Sequence, residues 1–116
     1  MNTGLYRDTH CVLDFDHHAA WVDDHHVQLT RKEFELLAEL VSSAGEIVPR
    51  DSLLLNVWGY GPQIRTRTLD VHIRRLRRKL GIYGERQIET AFGIGYRFQP
   101  RPGSATPLHY LEAVPA

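Results

Sequence analysis

The sequence predicts an α+β fold with an N-terminal antiparallel β-sheet, three helices and a C-terminal β-hairpin. Short apolar runs separated by polar turns fill residues 11–29, a pattern typical of antiparallel strands. Between residues 30 and 81, three segments carry apolar residues at the spacing of a helix face. Two more strand-like runs flank the glycine-containing residues 91–95, which indicates a hairpin. A chain of 116 residues is long enough for one small domain.

The N-terminal sheet is predicted from three strands, at Cys11–Phe15, Ala19–Val22 and Val27–Leu29, with a weaker candidate at Leu5–Arg7. The segments between them, DHH and DDHH, are polar and acidic, as turns on an exposed sheet edge are. We therefore expect residues 4–29 to form a small antiparallel sheet with an acidic outer face.

The first helix is expected to begin after Thr30. Thr30 and Glu33 match the capping box T-x-x-E, in which each side chain accepts a hydrogen bond from the backbone N–H of the other residue. Apolar residues then recur at helical spacing, namely Phe34, Leu37, Ala38 and Val41. Gly45 has the freedom to adopt the left-handed conformation that ends many helices.

The second helix is predicted for residues 50–58. Pro49 fixes the backbone where the helix begins, and Gly59 follows its end. Its apolar face consists of Leu53, Leu54 and Val57. A loop over residues 60–64 is expected next, because Gly61 and Pro62 both interrupt regular structure.

The third helix carries half of the basic residues of the chain. Seven of the fourteen arginine and lysine residues lie between Arg65 and Lys79 with a single acid, Asp70, whereas the rest of the chain has seven basic and thirteen acidic residues. One apolar stripe faces the core at i, i+4, i+7 and i+11, formed by Leu69, Ile73, Leu76 and Leu80. Gly81 ends the helix, and we expect Asp70 to pair with Arg74 four residues on. Because local positive charge attracts polyanions, this helix predicts a nucleic-acid partner although the net charge is zero.

Two strands are predicted after this helix, RQIET at residues 86–90 and YRF at residues 96–98, joined through Gly93 and Gly95. From residue 99 the composition changes, since residues 99–116 hold four of the six prolines. We expect a flexible tail there. The predicted organisation is one domain over residues 1–98, with the sheet at about 4–29, the helices at 30–81 and the hairpin at 86–98, followed by the tail.

The composition also limits compartment and chemistry. The single cysteine, Cys11, excludes an intramolecular disulfide and fits a reducing compartment. No apolar run approaches the roughly 20 residues of a membrane span, and the N-terminus lacks the apolar segment of a secretory signal. We therefore expect a cytoplasmic protein with no membrane partner. No set of residues has the pattern of a catalytic site, so we predict no enzymatic activity, no cofactor and no metal site.

Three helices followed by a glycine-tipped hairpin are the elements of a winged helix-turn-helix, whose third helix enters the major groove and whose hairpin, the wing, meets the adjacent backbone or minor groove. LTRKEFELL at residues 29–37, VWG at 57–59, RTLDVHIRRLRRKL at 67–80 and IETAFGIGYRF at 88–98 resemble, in order and spacing, the effector domain of OmpR/PhoB-type response regulators. The resemblance covers about seventy residues. It implies sequence-specific binding of double-stranded DNA by a bacterial transcription regulator within a two-component phosphorelay.

The resemblance also implies which residues meet DNA, with residues 67–80 as the recognition helix and 90–96 as the wing. Positions that contact phosphates in the family are matched by Arg67, His72, Arg74 and Arg77. Arg75 matches a base-reading position, and Trp58 an indole beside the backbone. Thr90 and Tyr96 match wing positions near phosphates. Thr68 is expected to cap the recognition helix, whose N-terminus favours phosphate, while Arg78 and Lys79 add to the positive field.

Two partners follow from the same resemblance. A second copy of the chain is expected head to tail on a direct repeat in DNA. The second expected partner is RNA polymerase, which would contact the loop over residues 59–66.

Three features depart from the family pattern. Phe92 stands where the wing often carries a basic residue that reaches into the minor groove. Arg65 and Thr66 stand where an acid often precedes the third helix. No receiver domain precedes the effector sheet, which indicates either an excised domain or a free-standing protein.

Two alternative interpretations stay open. The histidine pairs and their neighbouring acids are of ligand types that suit zinc or nickel, and they are His17, His18, His25 and His26 with Asp16, Asp23 and Asp24. A metal-responsive regulator is therefore one alternative, although adjacent residues on a strand point to opposite faces, which favours polar turn residues. The other alternative is a protein-interaction module whose basic helix docks an acidic partner together with the apolar segment 108–114.

Overall fold

The computed structural model describes residues 4–100. The chain begins with four strands, β1 (Leu5–Arg7), β2 (Cys11–Asp14), β3 (Ala19–Val22) and β4 (His25–Val27). They form an antiparallel sheet in the order β1-β2-β3-β4, which confirms the weaker strand candidate at residues 5–7. Apart from residues 99 and 100, the predicted tail lies outside the described residues, as does the segment 108–114.

The last strand of this sheet differs from its predicted position at residues 27–29. Asp23 and Asp24 both have positive φ, 49° and 69°, and form a two-residue turn that pairs Val22 directly with His25. Positive φ at both central residues is the geometry of a type I′ hairpin, which usually carries Asn-Gly or Asp-Gly. Because neither turn residue is glycine, the sequence pattern did not reveal the turn, and the His25–His26 pair lies in a strand.

The first helix, α1 (Arg31–Ser42), begins as predicted. The Glu33 N–H donates to the Thr30 hydroxyl at 3.2 Å and the Thr30 N–H donates to the Glu33 carboxylate at 2.9 Å, so the capping box is complete. The predicted apolar face is buried throughout, namely at Phe34, Leu37, Ala38 and Val41. Gly45 has φ of 88°, in the left-handed region, after the end of the helix.

The second predicted helix is present as α2 (Arg50–Leu53) continued by a π-helical turn (Leu54–Trp58). Gly59 ends it in the left-handed conformation, with φ of 76°. The third helix, α3 (Thr68–Lys79), lies within the predicted range and packs against α1. Within residues 4–100, no helix is long and apolar enough to cross a membrane.

Between α3 and the wing, the chain forms a 3-10 turn (Gly81–Tyr83) and a one-turn helix, α4 (Gly84–Gln87). The strand predicted to begin at Arg86 therefore begins at Ile88 instead. Gly84 rests directly on the Arg77 backbone, where a Cβ would overlap the carbonyl oxygen, and this close approach holds the segment in a tight turn. Gln87 is buried and its amide donates to Asp8 at 2.8 Å, which joins this turn to the N-terminal sheet.

The wing is part of a three-stranded antiparallel sheet. It contains β6 (Ile88–Ala91) and β7 (Gly95–Phe98), which the sequence predicted, and β5 (Ile47–Pro49), which it did not, in the order β5-β7-β6. An isolated hairpin is marginally stable in water, so a third strand strengthens the wing. The backbone N–H of Arg50, the first residue of α2, also donates to the Ile94 carbonyl at 2.9 Å.

One apolar core lies between the two sheets and the helices. Its fully buried members include Leu13, Leu37, Leu40, Leu53, Leu69, Ile73, Leu76, Ile88 and Phe98. Cys11 is buried in it, and burial raises the pKa of its thiol well above the usual value. The α+β winged helix-turn-helix predicted from the sequence is confirmed.

Candidate nucleic-acid interface

Helix α3 separates its apolar and basic residues onto different faces. Its stripe of Leu69, Ile73, Leu76 and Leu80 is buried. The opposite face exposes Arg67, Arg74, Arg75 and Arg78, and Arg65 is exposed just before the helix. Within residues 4–100, none of these five arginines forms a salt bridge. Their charges are therefore directed outward without a carboxylate partner, which suits an interaction with a polyanion.

Arg67 occupies the N-cap position of α3 and makes no side-chain capping bond, so Thr68 is not the cap that the sequence predicted. Thr68 is already the first helical residue, so its hydroxyl is not placed to accept from the first turn. The Thr66 hydroxyl instead accepts from the Thr68 N–H at 3.1 Å and contacts the Thr68 hydroxyl at 2.7 Å. The sequence pointed only to Thr68, and the backbone conformation shows that the helix already begins at that residue.

Asp70 does not pair with Arg74 as predicted. One oxygen of its carboxylate accepts from Arg50 Nη1 at 2.8 Å and from the Tyr96 hydroxyl at 2.9 Å. Arg50 also donates to the Thr66 carbonyl at 3.2 Å. Asp70 lies on the flank of α3 that faces the wing, and this orientation brings it to partners that are distant in sequence. It therefore connects α2, α3 and the wing, and no pattern in the sequence pointed to Arg50 as its partner.

Arg77 lies on the same flank and holds the wing. Its Nε and Nη2 atoms donate to the Ile88 carbonyl at 2.9 and 2.6 Å, and Nη2 donates to the Thr90 hydroxyl at 2.9 Å. The guanidinium carbon lies 5.9 Å from the centre of the Tyr96 ring, a cation–π distance. Arg77, Thr90 and Tyr96, all expected at phosphates, thus form the junction between α3 and the wing. The Thr90 hydroxyl accepts here and keeps its own proton to donate.

Trp58 and His72 meet on the opposite flank of α3. Their rings pack edge to face with centroids 4.9 Å apart, and both residues are half-buried. His72 Nδ1 lies 2.8 Å from the Thr68 carbonyl oxygen, which only accepts, so Nδ1 carries a proton. Nε2, the other ring nitrogen, makes no hydrogen bond within residues 4–100.

Lys79 points to the α1 side and is neutralised there. Its ammonium lies 2.7 Å from the carboxylate of Glu33, which is 1% exposed. Burial opposes ionisation of Glu33, but hydrogen bonds from Lys79 and Thr30 outweigh it, so the pKa of Glu33 is lowered. Lys79 therefore adds little to the positive field, contrary to the prediction. Its partner lies 46 residues away, beyond the reach of pattern analysis.

A surface groove runs between α3 and the wing. It is lined by Asp70, Arg74, Arg77, Arg78, Glu85 and Tyr96. Three of these residues are arginines, and one of the two acids, Asp70, is already paired with Arg50. The groove thus has a basic wall along α3 and opens beside the exposed arginines.

The wing tip is apolar. Phe92 is 89% exposed and Ile94 is 55% exposed. Gly93, between them, has φ of 80°, and the Ile94 N–H donates to the Ala91 carbonyl at 2.9 Å, which closes the turn. The structure therefore presents two large apolar side chains to solvent where the family pattern often has a basic residue.

The histidines of the two pairs contact different partners and do not converge on one site. His17 pairs with Asp14 at 2.9 Å, His18 stacks on Phe34, and His25 Nδ1 lies 3.0 Å from the Asp23 carbonyl. Within the described residues there is no group of three or more His, Cys, Asp or Glu side chains that could hold a metal ion. No observation in this part of the chain favours the metal-responsive alternative.

The sequence matches the family model of the C-terminal part of transcriptional regulatory proteins over residues 24–98. It is 37% identical over 86 residues to the response regulator ArlR of Staphylococcus epidermidis, a match that covers 73% of this chain and 39% of ArlR. The chain thus spans about two fifths of the length of the curated relatives it matches.

Solved structures share the fold. The DNA-binding domain of RstA from Klebsiella pneumoniae, in complex with the RstA box, has a TM-score of 0.77 at 31% identity, covering 84% of this chain and 98% of that chain. The response regulator DrrB, an OmpR/PhoB homologue from Thermotoga maritima, has a TM-score of 0.74 at 31% identity. The match covers 83% of this chain and 44% of the DrrB chain. These matches confirm the resemblance predicted from residues 29–98. The matched family is one of regulatory proteins rather than of enzymes.

Proposed function

Because the chain belongs to the family of C-terminal domains that OmpR/PhoB-type transcription regulators carry, we propose that it binds double-stranded DNA sequence-specifically as the DNA-binding domain of a bacterial transcription regulator. The observation that carries this proposal is the outward face of α3, where exposed arginines that have no carboxylate partner within residues 4–100 stand beside the wing. The likeness to RstA, solved on its DNA box, supports the same function.

In this proposal α3 enters the major groove with Arg75 directed at base edges. Arg75 is exposed on the outward face of α3, and its guanidinium can bind guanine bidentately. Phosphates on either side are contacted by Arg67, Arg74 and Arg78, with His72 and Trp58 on the α1 side and Thr68 at the helix start. On the wing side, Arg77 and Thr90 contribute their remaining donors. The Tyr96 hydroxyl already donates to Asp70, so we assign it to positioning the wing.

The assembly on DNA is part of the proposal. Two copies bind head to tail on a direct repeat, in a cytoplasmic protein whose domain ends near residue 98. Loop 59–66 is a candidate contact for RNA polymerase, because Ile64 is 43% exposed there beside a groove that Leu54 and Pro62 help to line. Arg65 makes this loop basic, so its partner surface would be acidic.

Selection of bound sequences from a random duplex library tests the function. We expect an enriched direct repeat with centres about one helical turn, 10–11 base pairs, apart. The selected duplex should then be bound with an affinity that falls by about 0.9 log units per log unit of salt for each neutralised phosphate. Arg74→Ala removes one phosphate contact, so it should reduce the magnitude of this slope by about 1 on every sequence. No enrichment together with a flat salt response would refute DNA binding.

Base readout by Arg75 is tested separately. Arg75→Ala should cost about 1–3 kcal/mol on the selected site and relax the preference at one or two base pairs, with little change on random duplex. Arg7→Ala is the matched control, because it removes one exposed arginine from edge strand β1 of the N-terminal sheet. Equal sequence preference in Arg75→Ala and the parent would show that another residue reads the bases.

A further inference from the structure

The wing tip exposes more apolar surface than the fold requires. Phe92 is 89% exposed, so its ring contributes almost nothing to the core, and Ile94 beside it is 55% exposed. A large exposed apolar side chain gains free energy only when something covers it. The Phe92 ring is therefore not part of the core and is available for a partner to cover.

The tip is held firmly enough to present this ring in a fixed place. The turn is closed by the hydrogen bond from Ile94 to Ala91. It is tied to α2 by the hydrogen bond of 2.9 Å from the Arg50 N–H to the Ile94 carbonyl. Gly95 packs so closely on the Val48 backbone that a Cβ there would overlap the carbonyl oxygen. The ring thus stands on an anchored turn.

The wing is also fixed beside the basic face of α3. Thr90 of β6 is bonded to Arg77 at 2.9 Å, and Tyr96 of β7 is bonded to Asp70 at 2.9 Å. The acid on the wing, Glu89, is paired with Arg97 at 2.8 Å, so the wing adds no unpaired negative charge. A polyanion that lies along α3 therefore continues past the wing tip without repulsion.

We propose that Phe92, flanked by Ile94, enters the minor groove next to the major groove occupied by α3 and wedges partly between two base pairs. The inference rests on the proposed DNA binding and adds how the DNA is deformed. In duplex DNA the apolar surface that can cover a phenyl ring is the base stack, and apolar side chains that reach it from the minor groove unstack and kink the step. Pyrimidine–purine steps deform most easily, so the wedge confers a preference for them where α3 makes no contact.

The test uses a duplex with a single half of the selected repeat, so that one copy of the chain binds. 2-Aminopurine is placed in turn at each step flanking the α3 site, because its fluorescence rises when it is unstacked. The parent should raise the fluorescence at one flanking step, most strongly at a pyrimidine–purine step. Phe92→Ala should abolish this rise and weaken binding about tenfold, in the range of one aromatic–base stack.

Salt dependence separates this wedge from an ionic contact. Phe92→Ala should leave the slope of log affinity against log salt unchanged, because a phenyl ring neutralises no phosphate, whereas Phe92→Arg should steepen it by about 0.9. Ile82→Ala is the control, since Ile82 is 84% exposed in the 3-10 turn beyond the other end of α3. That variant should match the parent in affinity, slope and fluorescence.

Three results would overturn the wedge. Unchanged affinity and fluorescence in Phe92→Ala would show that the ring does not reach the bases. If Phe92→Ala lost affinity only on the duplex with two sites, the ring would contact a second copy of the chain instead of the bases. Failure of the parent to prefer any duplex would remove both the wedge and the DNA-binding function, whereas the first two results leave that function intact.

Discussion

The Tyr96 hydroxyl donates to the Asp70 carboxylate at 2.9 Å, and this bond joins the second strand of the wing to the recognition helix. The same carboxylate oxygen accepts from Arg50 at 2.8 Å. Burial works against ionisation of Asp70, but the hydrogen bonds from Arg50 and Tyr96 outweigh it and the pKa of Asp70 is lowered. Burial and the bond to Asp70 both raise the pKa of Tyr96, which keeps its proton available to donate. The position of the wing relative to α3 is therefore fixed by a stable charge-assisted contact.

Removing this hydroxyl should loosen the wing without disturbing the core. Tyr96→Phe keeps the ring beside Arg77 but leaves Asp70 one donor short, so the free energy of unfolding should fall by about 1 kcal/mol. Urea unfolding measures this change, and fluorescence anisotropy should show weaker DNA binding. Tyr60→Phe is the control, because the Tyr60 hydroxyl makes no hydrogen bond within residues 4–100. Equal stability of the two variants would show that the wing is held by packing alone.

The ion pair between Glu33 and Lys79 should make stability depend on pH. Because the pKa of Glu33 is lowered in the folded state, its contribution is present above the ordinary glutamate pKa of about 4.3 and is lost as the pH falls further. Glu33→Gln should be less stable than the parent at pH 7, and the difference should shrink towards pH 3. Urea midpoints between these pH values measure it, with exposed Glu46→Gln as the control. A difference that is constant with pH would contradict the ion pair.

Thr66, before α3, and Thr68, its first residue, should differ in their effect on stability. Thr66→Ala removes the acceptor for the Thr68 N–H, the first N–H of α3, and should cost about 1 kcal/mol, the usual net value of one hydrogen bond. Thr68→Ala leaves that acceptor in place and should cost less, while Thr66→Ser should behave like the parent. Thermal or urea unfolding of the three variants gives the ranking. A larger loss in Thr68→Ala would show that the Thr68 hydroxyl, rather than that of Thr66, stabilises the start of the helix.

Two glycines are required by close backbone approaches. A Cβ at Gly95 would overlap the Val48 carbonyl oxygen, and one at Gly84 would overlap the Arg77 carbonyl oxygen. Because backbone cannot move aside as a side chain can, each alanine variant should lose about 2–3 kcal/mol or more. Gly61→Ala is the control, since its Cβ would meet only the end of the Gln63 side chain. Chemical denaturation measures the free energy of unfolding, which should fall clearly in Gly95→Ala and Gly84→Ala and stay near the parent value in Gly61→Ala.

The elements that local sequence specifies were predicted well. The capping box of Thr30 and Glu33 and the stripe from Leu69 to Leu80 depend on spacings of three or four residues, which are visible without tertiary structure. The N-terminal strands differed only at their ends, because the Asp23–Asp24 turn lacks the glycine that usually marks such a hairpin.

The contacts that the sequence did not reveal are long-range. Asp70 has a basic neighbour at i+4, which is the ordinary helical partner, but its flank faces Arg50 and Tyr96, 20 and 26 residues away. Strand β5 is only three residues long and forms because β7 lies beside it. The DNA contacts assigned to individual residues stay predictions.

The division of charge on α3 has a consequence for how such domains can diverge. Arg77 is committed to the wing and Lys79 to Glu33, so their replacement disturbs folding before it affects any ligand. The outward arginines form no salt bridge within residues 4–100. They are Arg67, Arg74, Arg75 and Arg78. A new operator preference can therefore arise by replacement of Arg75, with the phosphate contacts of the other three adjusted, while the bonds that hold the wing stay unchanged.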